Sequence, residues 1–275
     1  MDCAVISPRA EAEFELPQDA CVSEPDSTID WVGALEREAL QHRAVRHPYL
    51  EALANGTLPD GRWALIDFAR NYHGYSIAFP RYLTTVISRL EDADAREMLL
   101  DNLNEESGHY SEADYQELAA IGVKRCWIEG IAHPDLFRQF CRALGADVAR
   151  WTEQPEVVMW RERFLGVLAH GTPSEALGAL GLGTETIVRA IYGPFVQAIA
   201  RLDLSAHDTV FFPLHTAVDD NHQATLKAIS ADVARSQEGR RDLRRGMLQA
   251  LALRADFWDW LHGRALDPLV AEAGT

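Results

Sequence analysis

The sequence predicts an all-α fold, a bundle of seven to eight helices, on three observations. Apolar residues recur at helical spacing over most of the chain. Few segments alternate with period two and β-branched residues are sparse, which leaves strands little support. Gly, Pro and Ser divide the apolar runs at short intervals, as in packed helices joined by brief connections.

Taken in order, Trp31 to Leu53 reads as helical, with Trp31, Leu35, Leu40 and Val45 roughly on one face. His47-Pro48, Asn55-Gly56 and Pro59-Asp60-Gly61 punctuate it. Trp63 to Leu90 repeats apolar residues at helical spacing, and Pro80 inside it either kinks one helix or separates two. Asp92 to Tyr115 reads as another long helix, completed by Gln116–Ile121 ahead of Gly122. Ala132–Gly145, Pro155–His170, Ser174–Ala200, Ser205–Ser230 and Glu238–Leu261 follow. Gly178, Gly181 and Gly183 do not spell a phosphate loop, and small residues within a helical run predict close helix packing.

Charge separates a tail from this body. The 275 residues carry a formal net charge of −16. Residues 1–30 contribute −7 of it, with three prolines and little apolar periodicity, and read as an acidic, flexible tail. No composition shift marks a second domain, so residues 31–275 are expected to form one helical domain. The acidity argues against a nucleic-acid partner, and the lack of a long apolar run argues against a membrane span. Cys3, Cys21, Cys126 and Cys141 form no CxxC pair, and no basic-then-apolar leader opens the chain, so reduced thiols in a cytoplasmic protein are expected.

Three places concentrate chemistry-bearing residues. His215, Asp219 and His222 share one face of a helix at i, i+4 and i+7, beside apolar Phe211 and Phe212. The two histidines then stand about 10.5 Å apart along the axis, which suits a pair of ions better than one. Glu106 and His109 have the Glu-x-x-His spacing of di-iron carboxylate helices. Glu185 is an isolated acid in the apolar run Leu177–Ile187 and is costly to bury without a partner. Each has a plainer reading: a hydrogen-bonded core histidine, a solvated helix face, and an ion pair of Glu185 with Arg189. The ferritin arrangement needs two Glu-x-x-His helices, and this chain has one.

Two stretches resemble the haem-oxygenase-like di-iron oxidase and oxygenase superfamily. One is Asn71-Tyr72-His73-Gly74-Tyr75-Ser76-Ile77-Ala78-Phe79-Pro80-Arg81-Tyr82-Leu83 running into Leu99–Glu106; the other is the His215, Asp219, His222 helix. The resemblance covers about residues 35–260. It implies a haem-oxygenase-like bundle without haem, holding two Fe ions as Fe(II), with O2 as cosubstrate and Mn as the alternative metal. Carried over by position, Glu106, His109 and His215 would hold one iron, and Glu185, Asp219 and His222 the other. Some members add a glutamate near Ile77, a position that is apolar here; His73, one turn earlier, is a candidate to compensate or to orient a ligand. Asp220 and Arg189 are further candidates beside the site, Arg189 for a substrate carboxylate or an ion pair. Members that form para-aminobenzoate consume a tyrosine and a lysine of their own; the matching positions here are Leu50 and Phe195, with Tyr49 adjacent, so that chemistry is not supported.

The resemblance therefore implies an O2-dependent non-haem di-iron oxidase or oxygenase in specialised metabolism. Its substrate would be a small organic molecule such as an amino acid, amine or fatty acid, transformed by N-oxygenation or oxidative C–C cleavage. The expected partners are that small molecule, an external electron donor and a second copy of the chain in a homodimer. A metal-free binding or interaction protein on the same fold is the alternative, and a metallohydrolase is a third.

Overall fold

A computed structural model describes residues 27–217 and 219–267; of residues 217 and 219–224 it describes the backbone element and not the side chains. Among the described residues every regular element is helical. Most of the acidic tail expected over 1–30 lies outside the described residues. Its last three residues do not belong to a tail: helix α1 (Thr28–Gln41) begins there, because the Ser27 hydroxyl accepts the Asp30 N–H at 3.1 Å and caps the first turn.

The apolar runs are cut into more helices than their periodicity implies. Trp31–Leu53 becomes α1 and α2 (Pro48–Asn55), separated where His47 accepts the Tyr49 N–H and Pro48 opens the next helix. Trp63–Leu90 becomes α3 (Gly61–Ser76) and α4 (Phe79–Ile87), so Pro80 marks a new first turn rather than a kink. Asp92–Ile121 is also two helices, α5 (Ala93–Glu106) and α6 (Glu112–Ala120). Ser111 and Asp114 close a reciprocal capping box that starts α6.

Helices α7 (His133–Leu144), α8 (Pro155–His170), α9 (Pro173–Leu177), α10 (Val188–Ile199), α11 (Phe211–Ala217) and α12 (Asp219–Val233) lead to α13 (Gln237–Leu266), whose 30 residues lie against α1, α2, α3, α8, α9 and α12. Between α9 and α10 the chain makes a π-helical turn, Gly178–Leu182, and a 3₁₀ turn, Glu185–Ile187. The small residues there do what their spacing predicts. A Cβ at Gly178 would stand 2.0 Å from the Leu243 carbonyl oxygen of α13, so only glycine permits this approach.

The core is aromatic. Phe68 of α3 stacks on Phe195 of α10 at 4.0 Å between centroids, and Trp258 of α13 donates its indole N–H to the Ala44 carbonyl at 3.0 Å. Leu50 and Phe195 are both buried in this layer, each side chain contributing about 1.5–3 kcal/mol through removal from water. No helix among the described residues is long and apolar enough to cross a membrane.

Candidate metal centre

Glu106 is the last residue of α5, and the helix stops there for a local reason. Ser107 and Gly108 turn the chain, Gly108 adopting φ 87°. That left-handed conformation suits glycine, and the space does too: a Cβ at Gly108 would fall 2.5 Å from the Ile131 backbone nitrogen. The Gly130 N–H donates to the Gly108 carbonyl at 2.9 Å. This close crossing carries the segment that starts α7 against the end of α5. His133 is the first residue of α7, followed by Pro134, and its Nδ1 lies 3.0 Å from Glu106 Oε1.

His215 of α11 completes a cluster. One donor atom from each of Glu106, His133 and His215 lies within 4.8 Å of the others, and the two imidazole centroids are 4.5 Å apart. The far nitrogen of each ring is held. Tyr110 Oη meets His133 Nε2 at 2.6 Å, which leaves Nδ1 for a ligand. The Phe211 carbonyl lies 2.7 Å from His215 Nδ1 and takes its proton, which leaves Nε2. Such contacts fix tautomer and ring orientation and raise the basicity of a metal-binding imidazole. Burial, and then the neighbouring Glu106, hold the Tyr110 phenol above its ordinary pKa, so it stays protonated at neutral pH.

Glu185, in the 3₁₀ turn before α10, lines the same pocket. The π-helical turn and the irregular Thr184 backbone (φ −127°, ψ −67°) interrupt the run from α9 to α10 immediately before it, and Thr184 ties its hydroxyl to the Ala179 carbonyl at 3.0 Å. The pocket, about 420 Å³, is lined by Glu106, His133, His215 and Glu185 together with Tyr72, Tyr75, Tyr192 and Arg254. Glu106, His133 and Glu185 are all buried. Tyr72 and Tyr192 share a phenol–phenol hydrogen bond of 2.8 Å. Burial holds the phenols of Tyr75 and Tyr192 well above their ordinary pKa, so these two stay neutral.

The expected site residues fare differently. Glu106, Glu185 and His215 come together. His109 does not join them: the helix that would set Glu-x-x-His on one face ends at Glu106, and His109 is exposed beyond the Ser107–Gly108 turn. Asp219, Asp220 and His222 begin α12, and their side chains lie outside the described residues. His73 faces away from the pocket, half-buried near Arg138 and Glu153; burial, and then Arg138, keep its pKa low. Arg189 is exposed and does not line the pocket. Two residues that sequence reasoning missed stand there instead, His133 and Arg254. A sign of the second was legible, a lone arginine on the face of α13 that carries Leu251 and Trp258.

The residues present fit iron. Two carboxylates and two imidazoles share one largely buried, aromatic-walled pocket, a grouping that a cation stabilises. Nitrogen and oxygen donors with no thiolate suit iron or manganese, and two histidines with one carboxylate form the set that holds non-haem Fe(II). Glu106, His133 and His215 would hold such an ion, and Glu185 lines the same pocket.

Comparison with known proteins places this geometry. Residues 66–255 match the family model described as iron-containing redox enzyme. A 118-residue segment is 32% identical to the 4-aminobenzoate synthase of Chlamydia muridarum, covering 43% of this chain and 41% of that protein, so less than half of that relative is represented. A solved CADD-like protein of unknown function from Nostoc punctiforme has the same fold, with TM-score 0.66, 14% identity, and coverage of 86% of this chain and 95% of that one. A domain of unknown function with a heme oxygenase-like fold, from Shewanella denitrificans, superposes with TM-score 0.59 at 18% identity over 90% of this chain and 94% of that one. The expected haem-oxygenase-like fold is therefore the fold of this chain.

Proposed function

The chain belongs to the iron-containing redox enzyme family, and on that premise we propose that it is an O2-dependent non-haem oxidase or oxygenase of the two-iron type acting on a small organic molecule. The observation that carries this reading is the Glu106–His133–His215 cluster within 4.8 Å. Bound Fe(II) would supply O2 activation and oxidising power.

The protein's own part is positioning. Glu106, His133 and His215 would hold one ion, Tyr110 and the Phe211 carbonyl fix the two rings, and Glu185, with Asp219 and His222 of α12, would hold the second. Tyr72, Tyr75 and Tyr192 keep water from the space where the substrate lies, and burial holds the phenols of Tyr75 and Tyr192 in their protonated form. The similarity to 4-aminobenzoate synthase supports the reaction class. With Leu50 and Phe195 both core residues, we favour an external substrate over a side chain of the protein. An external donor would return electrons to the irons.

A single-ion site is the second reading, favoured by the fact that the described cluster has three ligands. Anaerobic loading with Fe(II), followed by iron analysis and O2 consumption, decides. Two irons per chain with O2 uptake support the proposal, and one iron with O2 uptake supports the second reading. Fewer than one iron and no O2 uptake would leave a metal-free binding protein.

A further inference from the structure

Arg254 sits in the middle of α13, 2% exposed, and it is the one arginine or lysine among the fully buried described residues. Three buried acids elsewhere have cationic partners: Asp67 has Arg264, and Glu175 and Asp242 have Arg245. Arg254 has no such carboxylate partner among the described residues. Among the described residues its hydrogen-bond acceptors are two phenols, Tyr72 Oη from Nη1 and Tyr75 Oη from Nη2, each at 3.2 Å. Aromatic faces enclose the rest, with the guanidinium carbon 4.8 Å from the Tyr75 centroid and 5.0 Å from that of Trp160.

A guanidinium stays protonated under all ordinary conditions and is costly to bury without an anion. Arg254 also lines the pocket that holds Glu106, His133 and His215. Glu106 lies on His133, and the hydrogen bonds of Arg254 to described residues go to phenols and not to either pocket carboxylate. Among the described residues no acceptor other than the two phenols takes an N–H of this planar fork, which leaves its remaining donors for a ligand. One pocket is thus lined both by a buried cation set among phenols and by the metal-ligand cluster.

We propose that Arg254, with Tyr72 and Tyr75, binds the carboxylate of the substrate, so that the substrate is a small organic acid whose far end faces Glu106, His133 and His215. The planar fork matches a carboxylate better than a neutral amide or alcohol. Arg254 sets specificity: it fixes which end of the molecule enters and how far the reacting atoms stand from the ligands. From the proposed function this takes only that the pocket is the substrate pocket.

The test uses acetate, butyrate, octanoate and benzoate, each beside its primary amide. Their binding to the full chain is measured by calorimetry, both metal-free and anaerobically loaded with Fe(II). At least one acid is expected to bind both forms and its amide at least ~30-fold more weakly, the size expected when a buried charge loses its partner. R254Q should remove the acid-over-amide preference and R254K should retain part of it, charge without the fork, while circular dichroism stays that of the wild type. If R254Q does not fold, R254K and the wild-type acid–amide comparison still decide. Equal binding of acid and amide, no binding of any acid, or wild-type affinity in R254Q overturns the inference while leaving iron and O2 uptake untouched. Acid preference without iron uptake would overturn the proposed iron chemistry and leave Arg254 in its role.

Discussion

Glu106 Oε1 and His133 Nδ1 lie 3.0 Å apart, the first at the end of one helix and the second at the start of another. The contact exists because Gly108 lets the chain cross the Ile131 backbone. It makes His133, and not the nearer His109, the partner of Glu106.

The two histidines can be told apart by substitution. H133A is expected to lose at least one iron per chain after anaerobic Fe(II) loading, with helix content near that of the wild type. H109A should bind as much iron as the wild type, since its side chain is exposed. Iron analysis after desalting reads both, and an H133A protein that keeps its full complement would remove His133 from the ligand set.

Tyr110 offers a finer test. Y110F deletes only the hydroxyl that meets His133 Nε2 at 2.6 Å. Fe(II) affinity should fall roughly 10–100-fold, the usual effect of losing the group that orients a ligand. Competition with a coloured chelator measures it, and unchanged affinity would mean that this hydroxyl does not orient the ring.

Gly108 and Gly122 separate backbone strain from collision. Both have φ 87°, but a Cβ at Gly122 meets nothing within 4 Å, whereas one at Gly108 meets Ile131. G122A should cost about 1 kcal/mol in urea unfolding, from strain alone. G108A should cost more, about 2–4 kcal/mol, and should also weaken Fe(II) binding because residues 130–133 must shift. Equal costs would refute the close crossing.

The packing of α9 on α13 carries a pH signature. Burial works to raise the Glu175 pKa, but Arg245 and the Thr172 N–H outweigh it and hold the carboxyl below its ordinary value. A depressed carboxyl adds stability above its unfolded pKa, and that stability is lost as pH falls through the folded value. E175Q should therefore be less stable than the wild type at pH 7 by about 1 kcal/mol, a modest figure because Arg245 is partly exposed. The gap should close as pH falls below the glutamate value of ~4.3, read from urea midpoints at several pH values.

Helix identity was legible along the chain because each helix buries one face and its apolar residues repeat accordingly. Where helices end was legible only in part. Pro80 announced a boundary, and Ser107-Gly108 with Ser111 and Asp114 carried a stop and a start that the periodicity of Asp92–Ile121 concealed. Reading through that break is what placed His109 on the face of Glu106. Glu185 was found because an acid in an apolar run is a local anomaly. His133 gave no such sign, since a histidine before a proline at a helix start is ordinary.

By itself the sequence determined the helical class, the close approach of Gly178 to its neighbour, and three of the four candidate metal-binding residues in the pocket, Glu106, Glu185 and His215. Each of these follows from spacing or from a charge among apolar neighbours, which are properties of one segment. Tertiary structure alone decided that His133 completes the cluster and that Arg254 lines the same pocket with no carboxylate partner among the described residues. Both depend on which helices cross and at what distance, and no single segment encodes a crossing.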